Sequence, residues 1–136
     1  QVLAVNLGGA VIPVLLSIWI LASNRSLWQT ALATVVVALV ANRVSRRVPG
    51  KGIEMPAFIP PATAALAALV LGGPSGDGGD ATAIAYAAGT LGTLIGADVL
   101  NMRHLDDMGP GVMSIGGAGV FDGVFLSGIV AAFLSW

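Results

Sequence analysis

The chain has 136 residues, of which 56% are hydrophobic and only 10% are charged, and its mean hydropathy is +0.90. Because soluble domains carry about 25% charged residues, this composition indicates an integral membrane protein. The net charge of −1 gives no reason to expect nucleic acid as a partner. The chain has no cysteine and one histidine, which argues against disulfides, thiol chemistry and a metal site. We therefore expect no metal and no other cofactor.

Five apolar stretches are long enough, or nearly so, to cross a bilayer as α-helices, which takes about 20 residues each. They lie at about residues 2–22, 27–43, 56–73, 81–102 and 110–135. No linker or convincing repeat divides them. We predict a single all-α membrane domain over residues 1–136, a polytopic transmembrane bundle of about five spans. Since the sequence begins with Gln1 rather than Met, a preceding segment remains an open alternative.

Charge in the connecting segments predicts the orientation of the bundle. The segment between spans 2 and 3 is basic, and the one between spans 3 and 4 (GGPSGDGGD) contains two aspartates and no basic residue. The basic residues are Arg43, Arg46, Arg47 and Lys51. The positive-inside rule then predicts a cytoplasmic N-terminus and an external C-terminus. The predicted location is the inner (plasma) membrane.

Span 4 contains an aspartate, Asp98, although a carboxylate at the centre of a membrane helix costs about 2.5–3.5 kcal/mol on insertion scales. Thr90, Thr93, Asp98 and Asn101 share one broad helical face, with Thr93 and Asp98 at its two edges. We expect the threonine hydroxyls to bond to their own helix backbone. Asn101 is either a helix cap or a site residue. A separate stripe of small residues predicts close helix packing, and it consists of Gly89, Gly92 and Gly96.

Span 5 begins with a glycine-rich stretch, GPGVMSIGGAG, that disfavours a regular helix before about Ala118. We predict a broken or re-entrant start, followed by a helix that carries Asp122 about one turn in. Gly119 and Gly123 form a GxxxG pair around this aspartate, which favours helix packing. An intramembrane aspartate marks a functional site by default, although it can also bond to backbone groups freed by such a break.

Asp98 and Asp122 lie on consecutive antiparallel spans, both toward the cytoplasmic half. One hypothesis is that they meet in a polar pocket, where two close carboxylates share a proton and act as base and acid in hydrolysis. The same pair could instead bind a proton or a cation during transport.

The start of span 3, MPAFIPPATAAL, is rich in proline. Because proline breaks helix interiors, residues 55–61 are predicted to be extended or kinked, with carbonyls able to bind a substrate as a strand edge. The alternative is an ordinary helix N-terminus with a proline-rich entry.

This sequence resembles two known protein families. The strings VNLGGAVIP, GTLGTLIGADVLN and SIGGAGVFDGVFLSGI resemble a family of multi-pass prokaryotic membrane proteins known as domain of unknown function 1614. That resemblance covers most of the chain and implies a membrane location without an activity.

The second resemblance is to intramembrane aspartyl proteases of the presenilin and signal-peptide-peptidase class. It implies that Asp98 and Asp122 are catalytic, and DGVFLSGIV resembles the run after the family's second aspartate. Substrate contact is assigned to Pro56, Ala57 and Phe58, in place of the family's PAL motif, and to Asn101 and Gly119. The chain departs from the family pattern at Ala97, where the family has tyrosine, and at Phe121, where it has glycine. The PAL-like segment also precedes the aspartates here.

Three functions follow as expectations. The first is a presenilin-like aspartyl protease that cleaves transmembrane peptides. The second is a small proton- or cation-coupled transporter or channel, consistent with helices broken at Gly and Pro. The third is an accessory or scaffold subunit that packs against partner membrane subunits. The predicted partners are the lipid bilayer and such substrates or subunits, and a homo-oligomer is a further alternative.

Overall fold

The computed structural model describes residues 2–5, 7–23, 27–48, 52–72, 78–101, 112–115 and 118–134. Five α-helices account for most of them, which confirms the all-α class: α1 Ile12–Ser23, α2 Leu27–Val44, α3 Ile59–Gly72, α4 Gly78–Thr93 and α5 Ala118–Leu134. Two π-helical segments adjoin them, π1 Leu7–Val11 before α1 and π2 Leu94–Val99 after α4. Four short strands complete the described chain: β1 Val2–Val5, β2 Arg46–Val48, β3 Gly52–Glu54 and β4 Val112–Ile115.

Two of the helices are long and apolar enough to cross a membrane, α2 and the segment Ala81–Val99 of α4 and π2. The other apolar helices within the described ranges are shorter, at Leu7–Ser23, Ile59–Gly72 and Val120–Val130. The structure therefore supports membrane helices but does not confirm a bundle of five spans.

The distribution of side-chain sizes is also that of a membrane bundle. Small residues dominate the interior: Ala33, Ala41, Ala64, Ala68, Ala87 and Ala88 are each at most 1% exposed. Large apolar side chains lie outside, and Trp19, Trp28, Val70 and Phe133 are each at least 65% exposed. In water this arrangement would forgo most of the available hydrophobic stabilisation. In lipid it is favourable, because helices associate there through close backbone packing at small residues.

Helix α4 is the central element, and it packs against α1, α2, α3 and α5. One core cluster joins α4 to α2 and α3 through Ala33, Val37, Ala64, Ala68, Ile84, Ala85 and Ala88. The other lies at the π2 end and contains Ala10, Ile53, Leu94, Ala97, Val120 and Val124. This second cluster brings π1, β3 and the first turns of α5 together around π2.

The strands were not predicted from the sequence. The basic segment after α2 forms an antiparallel hairpin in which Arg46 pairs with Glu54. β1 pairs with β4 in parallel, with Val2 opposite Val112 and Val5 opposite Ile115. Within predicted span 5, residues 112–115 are thus extended rather than helical. A regular helix begins at Ala118, as predicted.

The start of α3 is an ordinary proline-rich helix entry. Pro60 and Pro61 lie in its first turn and are buried, where a missing N–H costs no hydrogen bond. The Ala62 N–H donates to the Phe58 carbonyl at 3.1 Å and closes this turn. Residues 56–58 are therefore not a free strand edge.

Candidate functional site

Three glycines allow neighbouring helices to approach the central helix closely. A Cβ at Gly89 would lie 2.7 Å from Ser127 Oγ of α5, and one at Gly92 would lie 2.6 Å from Val37 Cβ of α2. A Cβ at Gly96 would collide with the carbonyl oxygen of Ala38 in α2. The predicted small-residue stripe thus contacts three helices, since Gly89 faces α3 and α5 whereas Gly92 and Gly96 face α2.

The π2 segment changes the helical phase of the residues beyond it. Its backbone bonds span five residues, as in the 2.8 Å bond from the Leu100 N–H to the Ile95 carbonyl. A π-turn of this kind inserts one residue into an α-helix and is frequent at functional sites. Gly96 lies within π2 and packs against α2. The π-helical segment therefore coincides with a close approach between the central helix and α2.

Five polar residues lie along α4, π2 and the turn that follows, and we call them the polar row: Tyr86, Thr90, Thr93, Asp98 and Asn101. In an uninterrupted α-helix, Asp98 would be rotated by about 140° from Thr93, at about 100° per residue. A π-turn that adds one residue reduces this rotation to about 40° on ideal geometry. The π-helical segment therefore favours a narrower stripe than the broad face predicted from the sequence.

Asp98 is 1% exposed and lies near the C-terminal end of π2. This segment contacts α2, α5, β3 and β4. A buried carboxylate is costly at this depth, so its retention in the interior calls for a role, as the sequence suggested.

Asn101 closes the polar row at one end. Its amide Nδ2 donates to the Ala97 carbonyl at 2.7 Å and to Ser45 Oγ at 3.2 Å. Ser45 follows α2 directly and precedes Arg46, which is exposed. The row therefore ends beside the basic hairpin.

The two threonines of the polar row differ from the other hydroxyls of the bundle. Ser17, Thr34, Thr63 and Ser127 each donate to the carbonyl four residues earlier, at 2.7–2.9 Å. Thr90 and Thr93 are fully buried, and neither Oγ1 has a hydrogen-bond partner among the described residues. The expectation that they bond to their own helix is therefore wrong.

Two members of the polar row, Thr93 and Tyr86, lie close to glycines of α5. A Cβ at Gly123 would lie 3.5 Å from Thr93 Cγ2, and one at Gly128 would lie 3.3 Å from the Tyr86 ring. Thr90 interacts with the Tyr86 hydroxyl, although the two oxygens do not meet normal hydrogen-bond geometry. Tyr86 also lines an apolar groove of about 380 Å³ between α1 and α5, with Ile12, Pro13 and Phe121.

Asp122 lies on the opposite side of α5 from this interface. Val120, Gly123, Val124 and Ser127 form the buried face, whereas Asp122 is exposed. At about 100° per residue, Asp122 is rotated by about 150° from the centre of that face. Phe121 and Phe125 stack beside it with ring centroids 6.2 Å apart. The structure thus places Asp98 in the interior and Asp122 on the outer surface, and does not bring them together.

The residues assigned to substrate contact are also dispersed. Pro56 is exposed, Phe58 is 76% exposed and Ala57 is partly buried, all in the turn before α3. This turn approaches α5, since a Cβ at Gly123 would lie 2.6 Å from Met55 Cε and 3.8 Å from Pro60 Cγ. Gly119 lies in the first turn of α5. Of the predicted set, Asn101 alone shares the polar row with Asp98.

Sequence reasoning missed Tyr86 and Ser45 as members of this site. Tyr86 could have been found from regular helical spacing, because it precedes Thr90 and Thr93 by four and seven residues. Ser45 lies just after α2, far away in the chain, and could not have been found in this way. No group of three acidic, histidine or cysteine side chains that could hold a metal ion occurs within the described ranges.

A family model described as "Protein of unknown function (DUF1614)" matches residues 1–134. The chain belongs to this family. The match confirms the resemblance drawn from the three glycine-rich strings, and it assigns no activity. No curated protein and no solved structure matches the chain, so the resemblance to presenilin-type proteases gains no support from a relative.

Proposed function

We propose that this protein is a small proton- or cation-coupled membrane transporter or channel in which Asp98 is the ion-binding carboxylate. The observation that carries this proposal is the burial of Asp98 at 1% exposure within a π-turn of the central helix. Ionisable residues inside membrane proteins are expensive, and those that persist mark ion and proton pathways.

The broken helices support the same function. π1 precedes α1 with two glycines and is followed by Pro13, and π2 forms the end of the central helix. Transporters place ion sites where helices depart from regular geometry, because unwound backbone carbonyls and helix ends coordinate ions there. Both π-segments border the apolar cluster at the Asp98 end of the bundle.

An aspartyl protease requires two carboxyls close enough to share a proton. Asp122 meets this requirement only if α5 turns by about 150° toward the interior. The protease therefore remains a prediction that ranks below transport, and its test is whether Asp122 is needed for activity.

An accessory-subunit role is a second candidate, favoured by the exposed carboxylate of Asp122 on an apolar helix face. A partner subunit or a second copy of the chain would cover this group, whereas lipid tails would not. In each case we propose a multi-pass inner-membrane protein with the basic hairpin of β2 and β3 in the cytoplasm.

The test is ion flux in proteoliposomes that contain the purified full chain, with proton, Na⁺ and K⁺ gradients imposed separately. We expect flux in the wild type, loss of flux in Asp98→Asn, and flux close to wild type in the matched variant Asp122→Asn. Equal flux in wild type and Asp98→Asn, or no flux in either, would overturn the proposal. Cleavage of a transmembrane peptide that needs both aspartates would establish the protease instead.

A further inference from the structure

We infer that the groove between α2 and α3 binds an anionic phospholipid, whose phosphate is held by Arg43 and Arg46 and whose acyl chain lies along α2. The inference needs only that the helices lie in a membrane, so it does not depend on the proposed transport function. It assigns a ligand to a surface of the bundle that contains neither Asp98 nor Asp122.

The outer face of α2 combines apolar and basic side chains. Four exposed residues, separated by four, three and four positions in the chain, form what we call the α2 stripe: Leu32, Val36, Leu39 and Arg43. At about 100° per residue these positions lie within about 60° of one another. The opposite face of the same helix is buried against the bundle. The α2 stripe is therefore an apolar outer surface that ends in a guanidinium group.

The length of the α2 stripe matches one leaflet of a bilayer. α2 has 18 residues, and at about 1.5 Å per residue it spans about 27 Å, close to the roughly 30 Å of bilayer hydrocarbon. Arg43, in the last turn of α2, then lies at the level of the lipid headgroups. Leu32 lies about 16 Å deeper along the helix axis, which is about half of the hydrocarbon thickness. A phospholipid whose phosphate contacts Arg43 would thus extend its chain along the whole stripe.

Helix α3 forms the second wall of the site. An apolar groove of about 400 Å³ lies between the two helices, and its lining includes Leu32, Val36, Leu66 and Val70. Thr63 also lines it, but its hydroxyl donates to the carbonyl four residues earlier at 2.8 Å. Leu66 and Val70 are exposed, as are the two residues from α2. An acyl chain in this groove contacts two helices at once, which gains more dispersion energy than one helix face provides.

The headgroup end of the site is formed by the basic hairpin that follows α2. Residues 43–54 contain four basic side chains and one acidic side chain. Arg43 and Arg46 are both exposed and lie three positions apart, at the same end of the bundle. A guanidinium binds a phosphate through two parallel hydrogen bonds, and basic residues next to membrane helices attract anionic lipids. The pair therefore favours a phospholipid with a net negative charge over a zwitterionic one.

Glu54 opposes this attraction at one of the two arginines. It lies directly across the hairpin from Arg46, and residues directly opposite in an antiparallel pair project from the same face. A carboxylate beside a bound phosphate repels it. We therefore expect Arg43 to contribute more to binding than Arg46, and removal of the Glu54 charge to strengthen binding. Basic residues that served only to orient the chain would produce neither effect.

The experiment measures how phospholipids with brominated acyl chains quench a tryptophan in the α2 stripe. Two single-tryptophan forms of the full chain, with the other tryptophans replaced by phenylalanine, are reconstituted in phosphatidylcholine vesicles. One carries Leu39→Trp, and the other keeps Trp28, which is exposed at the other end of α2. Brominated phosphatidylglycerol, which is anionic, or brominated phosphatidylcholine is included at increasing mole fraction.

We expect half-maximal quenching of the Leu39→Trp form at a mole fraction of phosphatidylglycerol at least fivefold below that of phosphatidylcholine. Trp28 should show no such preference, since it reports the bulk lipid. Arg43→Gln should reduce the preference about fivefold, which corresponds to about 1 kcal/mol for one basic residue. Arg43→Lys is the matched control, because it keeps the charge and should keep most of the preference. Glu54→Gln should increase the preference, a gain that misfolding would not produce.

The other outcomes would each overturn the inference. Equal quenching by the two lipids in the Leu39→Trp form, or a preference that survives Arg43→Gln, would mean that the arginines do not hold the headgroup. Displacement of brominated phosphatidylglycerol by excess inorganic phosphate would mean that the site binds the phosphate ion rather than a lipid. Absence of quenching by either lipid would mean that a second copy of the chain covers the α2 stripe.

Discussion

Asn101 donates a hydrogen bond to Ser45 Oγ at 3.2 Å, across 56 positions in the chain. It links the end of the central helix to the end of α2. The Ser45 hydroxyl in turn donates to the Asn42 carbonyl at 3.0 Å. These bonds anchor the turn just beyond π2 to the end of α2.

The first prediction concerns this link. Asn101→Ala removes the bonds to both Ser45 and the Ala97 carbonyl, and we expect it to lower the free energy of unfolding by about 1–2 kcal/mol. Ser45→Ala should cost less, about 0.5–1 kcal/mol, because the two bonds that it removes, with Asn101 and the Asn42 carbonyl, are only partly buried. Reversible unfolding in mixed detergent micelles measures both.

The double variant completes the test. If Asn101 and Ser45 interact as described, the two effects should overlap, with a coupling energy of about 0.5 kcal/mol or more. Strictly additive effects would contradict a direct bond between the two side chains.

The second prediction concerns the contact between π2 and α2. Gly96→Ala gains about 1 kcal/mol of helix propensity, but its Cβ would strike the Ala38 carbonyl and lie 2.9 Å from Ala41 Cβ. Backbone cannot move aside as a flexible side chain can. We therefore expect a net destabilisation of about 1–3 kcal/mol, measured by the same unfolding assay.

Gly128→Ala is the matched control for this substitution. Its Cβ would lie 3.3 Å from the edge of the Tyr86 ring, which can shift by a few tenths of an ångström. We expect a change within about 0.5 kcal/mol. If the two alanine variants proved equally stable, the close approach at Gly96 would be refuted.

The regular helices were largely predictable from the sequence, because apolar runs of sufficient length have few other solutions in a membrane protein. α2 spans 27–44 against the predicted 27–43, and Ala118 begins α5 as expected. The helix boundaries at Ile59 and Gly78 differ by about three residues, since the entry at Pro60 and the glycine-rich turn allow several starting points.

The sheet and the π-turn could not be predicted from local patterns. The pairing of residues 2–5 with residues 112–115 depends on a contact across most of the chain. The π-turn depends on how closely α2 approaches Gly96. For the same reason the side of α5 that carries Asp122 was unknown, since an almost uniformly apolar helix does not reveal which face it buries.

The third prediction concerns the stability cost of the polar row. Thr93→Val replaces a buried hydroxyl, which has no hydrogen-bond partner among the described residues, with a methyl group of similar size. We expect the free energy of unfolding to stay the same or rise by about 1 kcal/mol. Thr34→Val removes a bond of 2.7 Å to the Thr30 carbonyl and should lower it slightly.

The opposite signs of these two changes distinguish a functional hydroxyl from a structural one. A Thr93→Val variant less stable than Thr34→Val would mean that Thr93 supports the fold. The lack of a hydrogen-bond partner for the Thr93 hydroxyl among the described residues would then need an explanation other than transport.

The last prediction concerns orientation, for which the absence of cysteine gives a clean background. Ser23 ends α1 and Arg46 follows α2, both are exposed, and α2 separates them. If the basic hairpin is cytoplasmic, a membrane-impermeant maleimide applied to intact cells should label Ser23→Cys and not Arg46→Cys. Permeabilised cells should label both, which controls for reactivity. Labelling of Arg46→Cys alone in intact cells would mean that the orientation of the bundle is the opposite of the one proposed.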